Sequence, residues 1–81
     1  MYPYEATIRI KELNDLPLIV EYEIGEAQPD VGYTTDYVEN WEIVGIGSRY
    51  FRKGENTRWI VERAKPFFFQ IEEAIADQHW S

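Results

Sequence analysis

In the stretch Pro17-Leu18-Ile19-Val20-Glu21-Tyr22-Glu23-Ile24, Leu18, Val20, Tyr22 and Ile24 fall on one side of an extended backbone, and Ile19, Glu21 and Glu23 fall on the other. That period of two is the pattern of a half-buried strand. It determines which way the first half of the chain faces. Upstream, Tyr4, Ala6, Ile8 and Ile10 alternate with Glu5, Thr7, Arg9 and Lys11, so this segment reads as the hairpin partner. Directly opposed residues of an antiparallel pair share a face. Setting Ile8 and Ile10 against Tyr22 and Val20 therefore requires a connection of odd length, for which three or five residues are expected, with Pro17 opening the second strand.

From Gly25 to Asn40 the alternation stops, and Gly25, Pro29, Gly32 and several Asp, Thr and Asn residues mark a long connection. Trp41-Glu42-Ile43-Val44-Gly45-Ile46-Gly47 re-enters a strand that should end near Phe51. Trp41 and Ile43 share a side with Gly45 and Gly47, and Val44, Ile46 and Tyr50 share the other, so the alternation alone does not say which side is buried. Glycines inside a strand suggest a bulge or close approach of another element, such as a helix packed over them. After the turn Lys53-Gly54-Glu55-Asn56, residues 57–63 fit a short strand or irregular stretch slightly better than a helical turn. Pro66 then opens a helix whose Phe67, Phe68, Ile71, Ala74 and Ile75 form one stripe. The expected architecture is α+β: a three- or four-stranded antiparallel sheet covered by one C-terminal helix, in a single domain spanning residues 1–81.

The chain has 81 residues, no cysteine and a net charge of −7, from 15 acidic against 8 basic residues. Without disulfides or thiolate metal sites, the core must hold the fold, and three Trp, six Tyr and four Phe supply much of its bulk. No apolar run approaches the roughly 20 residues needed to span a bilayer, and Met1-Tyr2-Pro3-Tyr4-Glu5 lacks the basic start of a signal peptide. These features lead to the expectation of a soluble, cytoplasmic protein. The negative charge opposes binding to nucleic acid and to anionic membrane, whose surfaces call for basic residues.

Charge is also segregated along the chain. Glu12, Asp15, Glu21, Glu23, Glu26, Asp30, Asp36, Glu39 and Glu42 precede Ser48 with no Lys or Arg among them, whereas Arg49, Arg52, Lys53, Arg58, Arg63 and Lys65 follow. Solubility and cross-strand pairing account for such a pattern, and exposed pairs add only about 0–1 kcal/mol each. The sharper reading is a surface of Glu21, Glu23, Glu26, Asp30, Asp36, Glu39 and Glu42 that docks on a basic partner. Tyr33, Tyr37 and Trp41 stand in or beside the long connection, either as a rigid aromatic contact surface or as rings buried when it folds back. Phe69 and Trp80 lie away from the helix stripe, as a contact for a homo-oligomer or as parts of a frayed end.

The residues Val20-Glu21-Tyr22-Glu23, Gly25-Glu26-Ala27-Gln28-Pro29, Trp41-Glu42-Ile43 and Ile71-Glu72-Glu73-Ala74-Ile75 resemble those of small phage-encoded proteins of uncharacterised function. Such proteins have a hairpin, an acidic Pro/Gly-containing loop, a third strand and a closing helix. The segment Trp59 to Phe69 departs from that pattern, with Arg63, Lys65 and three consecutive Phe where an acidic approach to the helix belongs. The resemblance implies a viral accessory protein in the host cytoplasm that binds and inhibits a host protein, anti-defence targets such as CRISPR effectors or nucleases included. It carries no catalytic residue across.

No nucleophile turn surrounds Ser48 or Ser81, no metal-loop spacing joins Glu21, Glu23 and Glu26, and His79 suits a helix C-terminal cap. The expectation is therefore a protein that is not an enzyme and takes no metal and no cofactor. Two alternatives stay open: a nucleic-acid or nucleotide binder using residues 49–65, with Tyr50, Phe51 and Trp59 to stack on bases, and a small structural or assembly protein acting as an oligomer.

Overall fold

The computed structural model describes residues 3–26 and 37–80. Four strands, β1 (Tyr4–Ile8), β2 (Leu18–Gly25), β3 (Tyr37–Ile46) and β4 (Arg49–Tyr50), form one antiparallel sheet in the order β1-β2-β3-β4. A C-terminal helix follows in two stretches, α1 (Arg58–Ala64) and α2 (Phe68–His79), and packs on one face of the sheet. This is the α+β class expected, with four strands.

β2 sits centrally and obeys its alternation. Leu18, Val20 and Tyr22 are buried beneath the helix, joined by Ala6 and Ile8 from β1, while Glu21 and Glu23 face the other way. The register pairs Tyr4 with Tyr22, Ala6 with Val20 and Ile8 with Leu18. The parity argument holds, but the pairing of Ile8 with Tyr22 and Ile10 with Val20 does not. Residues 9–17 make a longer connection than the three or five expected, because Lys11–Leu13 turn as a 3-10 helix and Asn14 and Asp15 take left-handed conformations, φ 56° and 55°. Asn and Asp tolerate that region better than other non-glycine residues. The longer path keeps Ile10 in the core and adds Leu13 to it. Pro17 stands one residue before β2, its carbonyl accepting the Gly47 N–H at 2.8 Å.

β3 departs more from expectation. It begins at Tyr37, so Tyr37, Glu39 and Asn40 belong to a strand and not to the long connection. Its register against β2 shifts twice, leaving Glu39 and Val44 without partners. Each bulge adds one residue and turns the following side chains over. Val38, Trp41, Ile43 and Ile46 all pack towards the core as a result, a set that no period of two contains. The strand does not run on to Phe51. It ends at Ile46 and reverses through a two-residue Gly47-Ser48 turn, with Gly47 at φ 67°, the glycine-first pattern of a short hairpin. Gly45 is crowded, though by β4 and not by the helix: a Cβ there would lie 2.5 Å from the Arg49 carbonyl oxygen and 3.0 Å from Ile19 Cδ1.

Residues 57–63 are not a strand. The Arg58 N–H bonds the Asn56 side-chain oxygen at 3.1 Å as α1 begins, and Ile60 and Ala64, four residues apart, are fully buried. That burial outweighs the strand preference of Trp59, Ile60 and Val61. Pro66 does not open the helix but sits inside a 3-10 turn, Lys65–Phe67, between α1 and α2. Having no N–H, it cannot bond back four residues, and Lys65 bonds three back to the Glu62 carbonyl instead. The expected stripe is present: Ile71 and Ile75 are fully buried, and Phe67, Phe68 and Ala74 pack beside them.

Gly45→Val should lower stability by about 2 kcal/mol, since the carbonyl it would strike belongs to the paired β4 backbone. The urea midpoint reads this directly, and an unchanged midpoint would mean that β4 is not held against Gly45.

Candidate protein-binding surface

Because the helix covers one face of the sheet, the odd-numbered side chains of β1 and β2 line the other. The register places Glu5 opposite Glu21 and Glu21 opposite Glu42, so three carboxylates form a row across β1, β2 and β3. Like charges directly opposite one another are destabilising. Glu23 extends the acidic face by one step along β2, opposite Asn40. Beside the row, a shallow hollow of about 230 Å³ is lined by Pro3, Glu21, Glu23, Asn40 and Glu42 among others.

Among the described residues no Lys or Arg forms a salt bridge to this row. Among the described residues the two salt bridges are Arg49 to Glu55 at 3.1 Å and Arg58 to Glu62 at 2.9 Å, both confined to the segment after β3. The Arg49 bond, with the Arg52 backbone N–H, pulls the Glu55 carboxyl below its ordinary pKa, and Glu55 in turn holds the Arg49 proton more tightly.

Tyr50 is the neutral group that reaches the acidic row. Its hydroxyl donates to Glu5 Oε1 at 2.5 Å, from β4 across to β1. Tyr50 pairs with Gly45 and Gly45 with Ile19, and Ile19 is only 4% exposed although it faces away from the helix. The Glu5 bond first, then desolvation and the charges of Glu5 and Glu21, raise the Tyr50 pKa.

On the helix side, α2 is tied to the sheet near both of its ends, the Gln78 side-chain amide donating to the Thr7 carbonyl at 2.8 Å among these bonds. Near its C-terminal end Tyr22 Oη and His79 Nδ1 are 3.0 Å apart, and Tyr4 stacks on Tyr22 with ring centres 5.5 Å apart. His79 lies in the last turn of α2, as expected, and also bonds across to β2, while the Trp80 N–H closes the helix on the Ala76 carbonyl. Burial, then Tyr4, raises the Tyr22 pKa. At the other end Trp41 Nε1 donates to Glu72 Oε1 at 3.0 Å, and the Trp41 ring meets Phe68 edge-on at 5.0 Å.

The expected site residues are thus distributed unevenly. Glu21, Glu23 and Glu42 gather on the open face, Glu26 follows the end of β2 and is exposed, and Glu39 is exposed at a bulge on the β3 edge. Asp30, Tyr33 and Asp36 lie outside the described residues. Tyr37 and Trp41 are half-buried strand residues, Tyr37 packed over Gly25 and Trp41 held by Glu72 and Phe68. Phe69 is 71% exposed and Trp80 48%. Glu5 is not among the expected site residues, and Tyr50 was expected only to stack on bases, not to bond a carboxylate. Glu5 lies outside the acidic run, and only its polar-side alternation with Ala6 hinted at its place. Among the described residues no group of three or more His, Cys, Asp or Glu is placed to hold a metal ion, and no helix is long and apolar enough to cross a membrane. Comparison with protein-family models, curated proteins and solved structures finds no match to this chain.

The raised tyrosine pKa values fix a sign. An unfolded tyrosine loses its proton near pH 10, whereas Tyr50 keeps it to higher pH in the fold. Above about pH 10 the native state binds more protons than the unfolded one, so stability falls as pH rises. Tyr50→Phe should make this alkaline decline shallower, read as urea midpoints from neutral pH upward. An equally steep decline would show that the Glu5 bond does not form in solution.

Proposed function

We propose that this chain is a non-enzymatic binding protein whose acidic sheet face docks on the basic surface of a partner protein. The observation that carries the reading is the row Glu5, Glu21 and Glu42. Three carboxylates opposed across adjacent strands cost stability, and Arg49 and Arg58 are engaged by Glu55 and Glu62 instead. A partner's lysines and arginines would relieve that repulsion on docking, and the net charge of −7 would speed the encounter. The resemblance to small phage-encoded proteins supplies the setting: an accessory protein acting in a host cytoplasm, inhibiting a host protein by covering a basic site such as a nucleic-acid-binding groove. That setting is an inference from likeness, separate from the charge argument.

The test is a variant with Glu5, Glu21 and Glu42 all changed to Gln. It should fold, with a urea midpoint raised by roughly 0.5–1 kcal/mol equivalent at low salt as the repulsion disappears. Quantified capture of partner from host lysate should fall about tenfold, consistent with loss of more than one interfacial charge pair. A variant that captures the same partner as well as the parent chain sinks the proposal.

A further inference from the structure

β4 pairs only with Gly45 and Ile46, so the outer edge of β3 from Val38 to Ile43 meets no partner strand among the described residues. Unpaired edges present a row of backbone donors and acceptors that another chain can extend. Alongside this edge, between β3 and the junction of α1 and α2, runs a hollow of about 400 Å³. Ile43, Val61 and Phe68 contribute its apolar lining, and Glu39, Glu42 and Glu72 its carboxylates, with no Lys or Arg among the lining residues. The Trp41–Glu72 bond spans the hollow from sheet to helix and fixes one carboxylate in place.

We infer that the β3 edge accepts an extended, cationic segment of the partner protein as a fifth strand. The inference rests on the acidic-docking reading and adds where and in what conformation the partner engages. Main-chain bonds along the edge would supply affinity, and side chains on alternate sides would supply selectivity. One set of the incoming strand's residues turns towards the helix and the Ile43, Val61 and Phe68 lining, which suits apolar side chains. The other set turns towards the open face and Glu42, which suits lysine or arginine. The occupant is therefore a segment alternating apolar and basic residues. A second copy of this chain fits poorly, because pairing two β3 edges brings Glu39 and Glu42 of each copy against one another.

The probe is an acetylated, amidated hexapeptide alternating valine and lysine, titrated into isotope-labelled protein at low salt. Binding should shift and protect the backbone amides of residues 38–43. N-methylation of the peptide nitrogens on one edge should weaken it about tenfold, the equivalent of roughly one lost main-chain hydrogen bond. Val61→Lys, an exposed position whose change leaves the core intact, should weaken the unmodified peptide by a similar factor. Equal binding of the N-methylated peptide, with shifts centred on Glu5 and Glu21, overturns strand addition while leaving the acidic-face reading in place. No binding at low salt overturns strand addition too, and the capture experiment with the Gln variant then decides the broader reading by itself. A dimer whose protected amides are those of β3 would also overturn it, the edge being taken by a second copy.

Discussion

The face of β2 that carries Leu18, Val20 and Tyr22 is closed by Ile71 and Ile75 of α2 and by Ile60 and Ala64 of α1, and the rest of the structure follows from that closure. A strand buries one side at a time, so covering the even-numbered residues commits Glu21 and Glu23 to solvent. β1 joins in matching register and exposes Glu5 by the same rule. With no disulfide, this apolar contact must offset the conformational entropy of ordering the chain. β3 could not supply enough apolar surface to it by simple alternation. Two bulges bring Val38, Trp41, Ile43 and Ile46 to a single face, at the cost of two positions without a partner on β2.

Closure of one face concentrates charge on the other. The carboxylates of three strands meet in a row because each strand is independently amphipathic and the registers align them. Nothing in the folding of the core requires that row to be neutral, and six of the eight cations lie in the segment after β3, where Arg49 and Arg58 find acids a few residues away. Tyr50 is the exception. It contributes a hydroxyl to Glu5, and Ile19 on the same face is nearly buried, so the acidic face has an apolar position within it. Polar and apolar features side by side are what a protein-binding surface requires.

The helix is pinned at two places along the sheet, by Tyr22 and His79 near one end and by Trp41, Glu72 and Phe68 near the other. Both joints combine a hydrogen bond with ring packing, which orients the helix more narrowly than apolar contact alone. β4 is only two residues long, and among the described residues most of β3 has no partner strand on its outer side. The hollow beside that edge is bounded by the Trp41–Glu72 bond, which also seats the helix on the sheet.

Sequence alone determined the central strand, the parity of the first hairpin, the apolar stripe of the closing helix and the excess of negative charge. Each is carried by residues close together in the chain, whose period of two or 3.6 is visible without knowing their neighbours. Tertiary structure decided the rest. Ile10 and Leu13 lengthened the first connection by entering the core, Ile60 and Ala64 made residues 57–63 helical, and two bulges chose the buried face of β3. The row of Glu5, Glu21 and Glu42 exists only through strand register, a relation between residues up to 37 positions apart in the numbering. Local patterns record what one segment prefers, whereas burial and register are settled by what the other segments offer it.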